Sequence, residues 1–349
     1  AHKVPDRLLK RLAQNEAVLI DSSRVLTASV KNKGRLPPAG EWLLDNFYLI
    51  DDQIRTAKLH FSRSYSRQLP QLATGPTAGL PRVYTLALET IAHGDGRVDP
   101  VILSRFISAY QSVVPLQLGE LWAIPIMLRL ALIENLRRIA ARVALSRLEQ
   151  ELAEQWADKL IEVANTDPKN LVVVLADMVR SEPPMSSPFI SEFTRRLQSQ
   201  STALTLPLNW VTQVLAESNL TIEQVVQAEG QQQAADQVSI GNTITSMRTI
   251  IALDWRDFVE QMSFVEQTLR DDPLQVYAQM DFATRDRYRH RIERLARHSR
   301  YSELEIAQQT LQLAQEASAQ QRLERETHVG FYLLDDGLRH HPEFIVDEK

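Results

Sequence analysis

The chain has no cysteine, which removes disulfides, thiolate metal sites and cysteine nucleophiles together and fits a reducing compartment. Glycine is scarce, 11 of 349 residues, so there is little room for glycine-rich phosphate loops or many tight hairpins. No apolar run approaches the roughly 18 residues that a membrane-spanning helix needs. The best candidate, "LWAIPIMLRLALI" at 121–133, is short and is interrupted by Arg129. The opening "AHKVPDRLLKRLAQNEAVLI" lacks the apolar core of a signal peptide. Alternating apolar–polar runs, the mark of half-buried strands, are also missing. The chain as given reads as soluble. Beginning at an alanine and ending in "PEFIVDEK", it also reads as a piece excised from something longer.

What remains is helical periodicity. Leu8, Leu12 and Leu19 recur at helical steps, as do Trp42, Leu43, Phe47, Ile50 and Ile54. Asp99 followed by Pro100 predicts a capped helix start. The stretch "GELWAIPIMLRLALIENLRRIAARVALSRLEQEL" is apolar on more than one face and predicts a central buried helix, with Pro125 starting or kinking it. "LVVVLADMVR" is strand-like in composition, yet its length and Asp177 favour a helix. The fold expected is all-α, a bundle-like array of many helices. The Pro/Ser-rich "SEPPMSSP" at 181–188 is the clearest breaker, and it suggests helical subdomains over 1–180 and 189–349.

Catalytic signatures fail one after another. There is no phosphate-binding loop, no HExxH and no G-x-S-x-G elbow. "HGDGRVDP" at 93–100 fails as a calcium loop, because placing Gly96 at the obligatory glycine puts Ile91 and Ile102 at ligand positions. It is better read as a loop between helices. His340 and His341 are adjacent and cannot share a helix face. No aspartate has a second aspartate two positions on, so the Asp-x-Asp element of sugar-nucleotide transferases is absent. The acid pairs Asp51–Asp52, Asp271–Asp272 and Asp335–Asp336 are expected at the surface or as caps. Trp42, Phe47 and Tyr48 offer a sugar-stacking platform, but among leucines at helical spacing they are expected in the core. No catalytic, cofactor-binding or metal-ligating residue is assigned, and no cofactor is expected.

One stretch stands out. "MDFATRDRYRHR" at 280–291 is a basic island within a half of the chain that is otherwise acidic. A nucleic-acid-binding domain is usually basic as a whole, and the formal net charge here is −5, so no nucleic acid is expected as a partner. Asp281 or Thr284 caps a helix running through Arg297, with Tyr288, Ile292 and Leu295 as its apolar stripe. Arg285, Arg287, Arg289, His290 and Arg291 form the candidate interaction surface. Two readings stay open for it: an intramolecular ion-pair network, or docking of an anionic partner, for which arginine's planar fork is suited.

Several stretches are distinctive beyond their periodicity: "EWLLDNFYLIDDQI", "QLPQLATGPTAGLPRVYTLALETIAHGDGRVD", "LGELWAIPIMLRLALIENLRRIA", the long run from "NTITSMRTIIALDW" through "DRYRHRIERLA", and "THVGFYLLDDG". In collinear order from about residue 40 to 337 they resemble the cyclic β-1,2-glucan synthases, with 148–240 matching only loosely. The resemblance implies the cytoplasmic region before the first membrane spans of a large inner-membrane protein of Gram-negative bacteria, which polymerises glucose from UDP-glucose. It implies partners in the downstream transferase and transmembrane domains of the same polypeptide, with anionic lipid headgroups as a further candidate. The transferase motifs are not in this chain, so no catalytic residue carries over. A carbohydrate- or nucleotide-sugar-binding module and an independent all-α glycoside hydrolase are the alternatives.

Overall fold

In the computed structural model, residues 7–32, 34–61, 65–198, 200, 202–335 and 337 are described; His340 and His341 lie outside them, as does Asp336. Among the described residues there are α-helices and short 3-10 turns but no strand, only an isolated antiparallel bridge between Gln71 and Pro81. The helices are α1 (Arg7–Lys31), α2 (Pro38–Asp45), α3 (Phe47–His60), α4 (Tyr65–Gln68), α5 (Arg82–His93), α6 (Pro100–Gln111), α7 (Leu118–Thr166) and α8 (Leu171–Arg180). They continue as α9 (Ser187–Leu197), α10 (Thr205–Ala216), α11 (Ile222–Ala252), α12 (Trp255–Met262), α13 (Phe264–Arg270), α14 (Phe282–Arg297), α15 (Glu303–Ala319) and α16 (Val329–Leu334). None is long and apolar enough to cross a membrane. The all-α expectation holds.

Local signals explain many boundaries. Asp99 accepts hydrogen bonds from the backbone N–H groups of Val101 and Ile102, with Pro100 at the first helical position. The 93–100 stretch is the loop between α5 and α6. α8 is helical despite its valines, and Leu171, Leu175 and Met178 form its buried side. α7 runs through Pro125, so the proline does not start the helix. Its missing N–H removes one ladder bond near the helix beginning. Around it Leu121, Ile124, Met127, Leu128, Ile133 and Leu136 are all buried, as the all-round apolar pattern requires.

The chain forms two compact units, each discontinuous in sequence. The first comprises 1–64, 91–97 and 129–249. Part of its core gathers Ala157, Leu160, Met178, Phe189, Phe193 and Val211 from α7 to α10. Segment 181–188 lies within this unit, leading from α8 into α9. Polar locks supplement the core. Arg147 is buried and donates to Ser29 Oγ at 2.6 Å and to Glu154 at 3.1 Å. The second unit comprises 65–90, 98–128 and 250–349. Its core includes Leu269, Tyr277, Tyr288, Ile292, Ile306 and Val329.

Trp42 and Tyr48 depart from the core placement expected of them: they are 42% and 68% exposed. Asn46 separates α2 from α3, yet the buried residues keep one helical phase across it. At about 100° per residue, Leu43 and Ile50 fall on the same side, with Trp42 at its edge and Tyr48 opposite it. Ala39, Gly40 and Leu43 are buried before the break, and Leu49, Ile50, Gln53 and Ile54 after it.

Gly96 shows how tightly the first unit is drawn around its loop. Its φ is +79°, and a Cβ there would lie 2.4 Å from Thr243 Oγ1 and 3.2 Å from Ser239 O. Both the backbone conformation and the space require glycine. Gly96→Ala is expected to cost about 1–3 kcal/mol of stability, measured by urea denaturation.

Candidate functional site: the charged cluster around α14

The basic segment folds as α14, with Asp281 accepting from Thr284 N at 2.7 Å as its N-cap. Tyr288, Ile292 and Leu295 are buried along one side, as their spacing predicts, but Arg289 is buried with them. Its side chain is 0% exposed. Nη1 donates to Glu266 Oε2 at 2.8 Å and Glu260 Oε1 at 3.0 Å, and Nη2 to Asp286 at 3.1 Å. The guanidinium carbon lies 4.9 Å from the centre of the Phe282 ring, a cation–π contact in a desolvated place. Arg289 Nε is buried without a hydrogen-bond partner.

Arg285, one turn earlier, grips Glu260 with Nη2 at 2.7 and 2.8 Å and donates from Nη1 to Met280 O at 2.6 Å. Glu266 is fully buried and also receives Arg270 Nε at 3.0 Å and the Tyr277 hydroxyl at 2.7 Å. Three guanidinium groups (Arg270, Arg285, Arg289) thus face three carboxylates (Glu260, Glu266, Asp286). The opposite charges match in number, which is what lets ions remain away from water. Burial works against ionisation of Glu260, yet the hydrogen bonds and charges of Arg285 and Arg289 outweigh it and hold its carboxyl below the ordinary range. Burial, followed by the Glu266 charge, raises the Tyr277 phenol well above its usual value.

The five sequence-marked residues therefore separate. Arg285 and Arg289 are in the internal network. Arg287 is exposed. His290 is largely exposed, with Nδ1 donating to Asp286 O at 2.9 Å. Arg291 is half-buried and donates from Nε to Leu333 O at 3.2 Å.

A second buried cluster adjoins Tyr288. Asp272 accepts from His328 Nδ1 at 2.9 Å, from Val329 N at 3.0 Å and from Val276 N at 3.3 Å. The opposite ring nitrogen of His328 lies 3.2 Å from the Tyr288 hydroxyl. Of the surface or capping roles expected of the acid pairs, with a helix cap favoured for Asp272 before Pro273, the surface one does not hold: Asp272 is fully buried. It satisfies backbone N–H groups as a cap does, without standing at the N-cap of a helix. Carboxylate, imidazole and hydroxyl stand in series, the order used in hydrolytic triads. Here the hydroxyl belongs to a tyrosine 7% exposed, whose ionisation burial disfavours. Gly330 closes over it: a Cβ there would lie 2.5 Å from Tyr288 Oη. The arrangement is a lock rather than an open reaction centre. No group of three or more His, Cys, Asp or Glu side chains suited to a metal ion occurs among the described residues.

Sequence reasoning missed Glu260, Glu266, Asp272 and His328 as partners. The available signal was Glu266, which lies between Val265 and Leu269 on a buried helical side; a carboxylate in an apolar stripe announces a buried cation opposite.

The structure thus defines an all-α module whose second unit is locked by internal ion pairs. No protein-family model matches the chain. Over 333 residues, 95% of its length, it is 32% identical to the cyclic beta-(1,2)-glucan synthase NdvB of Rhizobium meliloti (strain 1021). It spans 12% of that protein's length. The chain is therefore related to a segment of a cyclic β-(1,2)-glucan synthase, and the resemblance carried by its motifs holds.

Asp272 supplies a pH test. Burial opposes its ionisation, but hydrogen bonds from His328, Val329 N and Tyr277 N, with the His328 charge, hold its pKa below the ordinary value. The folded state therefore releases this proton more readily than the unfolded chain. Its stabilisation is complete above the unfolded carboxylate value, about 3.9, and is lost as pH falls through the lower native value. Asp272→Asn is expected to cost about 1–3 kcal/mol at neutral pH and to flatten the acid limb of the stability curve, followed by denaturant titrations between neutral and acid pH.

Proposed function

We propose that the chain is the N-terminal, cytoplasmic helical region of a membrane-bound cyclic β-1,2-glucan synthase, acting as a non-catalytic scaffold for the transferase that uses UDP-glucose. The observation that carries this reading is the similarity spanning 95% of the chain yet only 12% of the synthase. The geometry is consistent with it, since the most conspicuous charged side chains are bound to one another in the interior. The proposed partners are the downstream transferase and membrane-spanning domains of the same polypeptide, with anionic lipid headgroups as a second surface. Arg287, exposed on α14 beside His290, is the contact point offered to either.

The test has two arms. The isolated chain, incubated with labelled UDP-glucose, is expected neither to transfer nor to hydrolyse glucose; turnover would overturn the non-catalytic reading. A full-length synthase lacking this region is expected to lose most glucan output while still being made and inserted. Undiminished output would overturn the supporting role.

A further inference from the structure

The second unit contains a cavity of about 340 Å³ beside α14 and the start of α15, within the range of small-molecule sites, about 300–1,000 Å³. Its walls combine two aromatic residues, Trp122 and Tyr301, with the carboxyls of Glu293 and Glu303, the Arg297 guanidinium and the His290 imidazole. Both aromatic residues are half-buried. The Trp122 ring is held edge-on against Phe282, with centroids 6.3 Å apart, and so is tied to the same residue that underlies Arg289.

Glu303, the first residue of α15, is 8% exposed. Its Oε2 accepts from the backbone N–H of Leu118, the first residue of α7, at 2.7 Å. Its Oε1 makes no hydrogen bond to the described residues, and neither does the indole N–H of Trp122. One free acceptor and one free donor therefore line the same cavity, together with aromatic surface. Hydroxyl groups satisfy both needs, because each donates and accepts. The aromatic rings suit the C–H faces of a sugar ring. Charge argues against phosphate: the two carboxyls face one guanidinium, and that group already donates to Glu293 Oε1 at 2.6 Å. His290 is tied to Asp286.

We propose that this cavity binds a neutral saccharide, with Trp122 and Tyr301 as packing surfaces and Glu293 and Glu303 as acceptors for its hydroxyls. The choice of a β-1,2-linked probe rests on the relation to glucan synthases; the chemistry of the cavity does not.

Glu303 gives the site a signature. Burial pushes its carboxyl up to about 7; the Leu118 N–H opposes this, the charges of Glu293 and Glu120 reinforce it, and Arg297 opposes it. A hydroxyl donating to Glu303 favours the ionised form, so affinity rises as pH goes from 6 to 8. His290 also lines the cavity and is untouched by Glu303→Gln, so loss of the pH dependence in that variant assigns it to Glu303.

The experiment is calorimetric titration of the full chain with sophorose, the β-1,2-linked glucose disaccharide, at pH 6 and pH 8. Saturable millimolar binding, tighter at pH 8, is expected. Glu303→Gln, whose amide oxygen still accepts from Leu118, should weaken it about tenfold, as expected for loss of one charged hydrogen bond, and remove the pH dependence. An unchanged circular-dichroism melting curve would show that the variant is folded. Absence of saturable binding, or binding that Glu303→Gln leaves intact, would overturn the proposal. Displacement of sophorose by inorganic phosphate or UDP would overturn the neutral-ligand assignment. None of these results bears on the scaffold reading, which is judged by synthase output.

Discussion

The second unit depends on one buried charge. Arg289 is removed from water, and an uncompensated guanidinium there would cost several kcal/mol. Glu266 and Glu260 must therefore come to it, which brings α12 and α13 against α14. The Phe282 ring covers the guanidinium from within the same helix. With Arg289 fixed, the adjacent Tyr288 meets His328, and His328 meets Asp272. Gly330 supplies the clearance that lets the first turn of α16 close over them. The "HVG" of the distinctive "THVGFYLLDDG" stretch thereby acquires a physical reason: a ring that bridges Asp272 to Tyr288 and a backbone that cannot carry a side chain.

The sequence was most informative where the cause is local. The Asp99 and Asp281 caps, the all-round burial of the first half of α7 and the Tyr288–Ile292–Leu295 stripe each depend on neighbours within a turn or two. It was least informative where the partner is remote. Glu266 is 23 positions from Arg289 and Asp272 is 56 from His328, and neither separation has a periodic signature. Trp42 and Tyr48 failed for another reason. The buried residues keep one period across Asn46, and Trp42 and Tyr48 lie off that side, so their place on the helix rather than their apolar rings decides their exposure.

This distinction bears on function. A run of arginines invites a ligand, and α14 answers that invitation mostly from within. Arg285 and Arg289 spend their hydrogen bonds on acids of α12 and α13, leaving Arg287 outside. The segment related to part of a glucan synthase is built from helices joined by buried ion pairs. The cavity at the start of α15 is different in kind, because it presents aromatic surface together with polar atoms that no described residue satisfies.

The most direct test of the central claim, that the arginines of α14 serve the interior, is a double-mutant cycle between Arg289→Met and Glu266→Gln, read by urea denaturation. Each single change strands a buried partner and is expected to cost about 3–5 kcal/mol. The double change should cost less than the sum by about 1–3 kcal/mol. Additive losses, or an Arg289→Met variant as stable as the parent, would contradict the account.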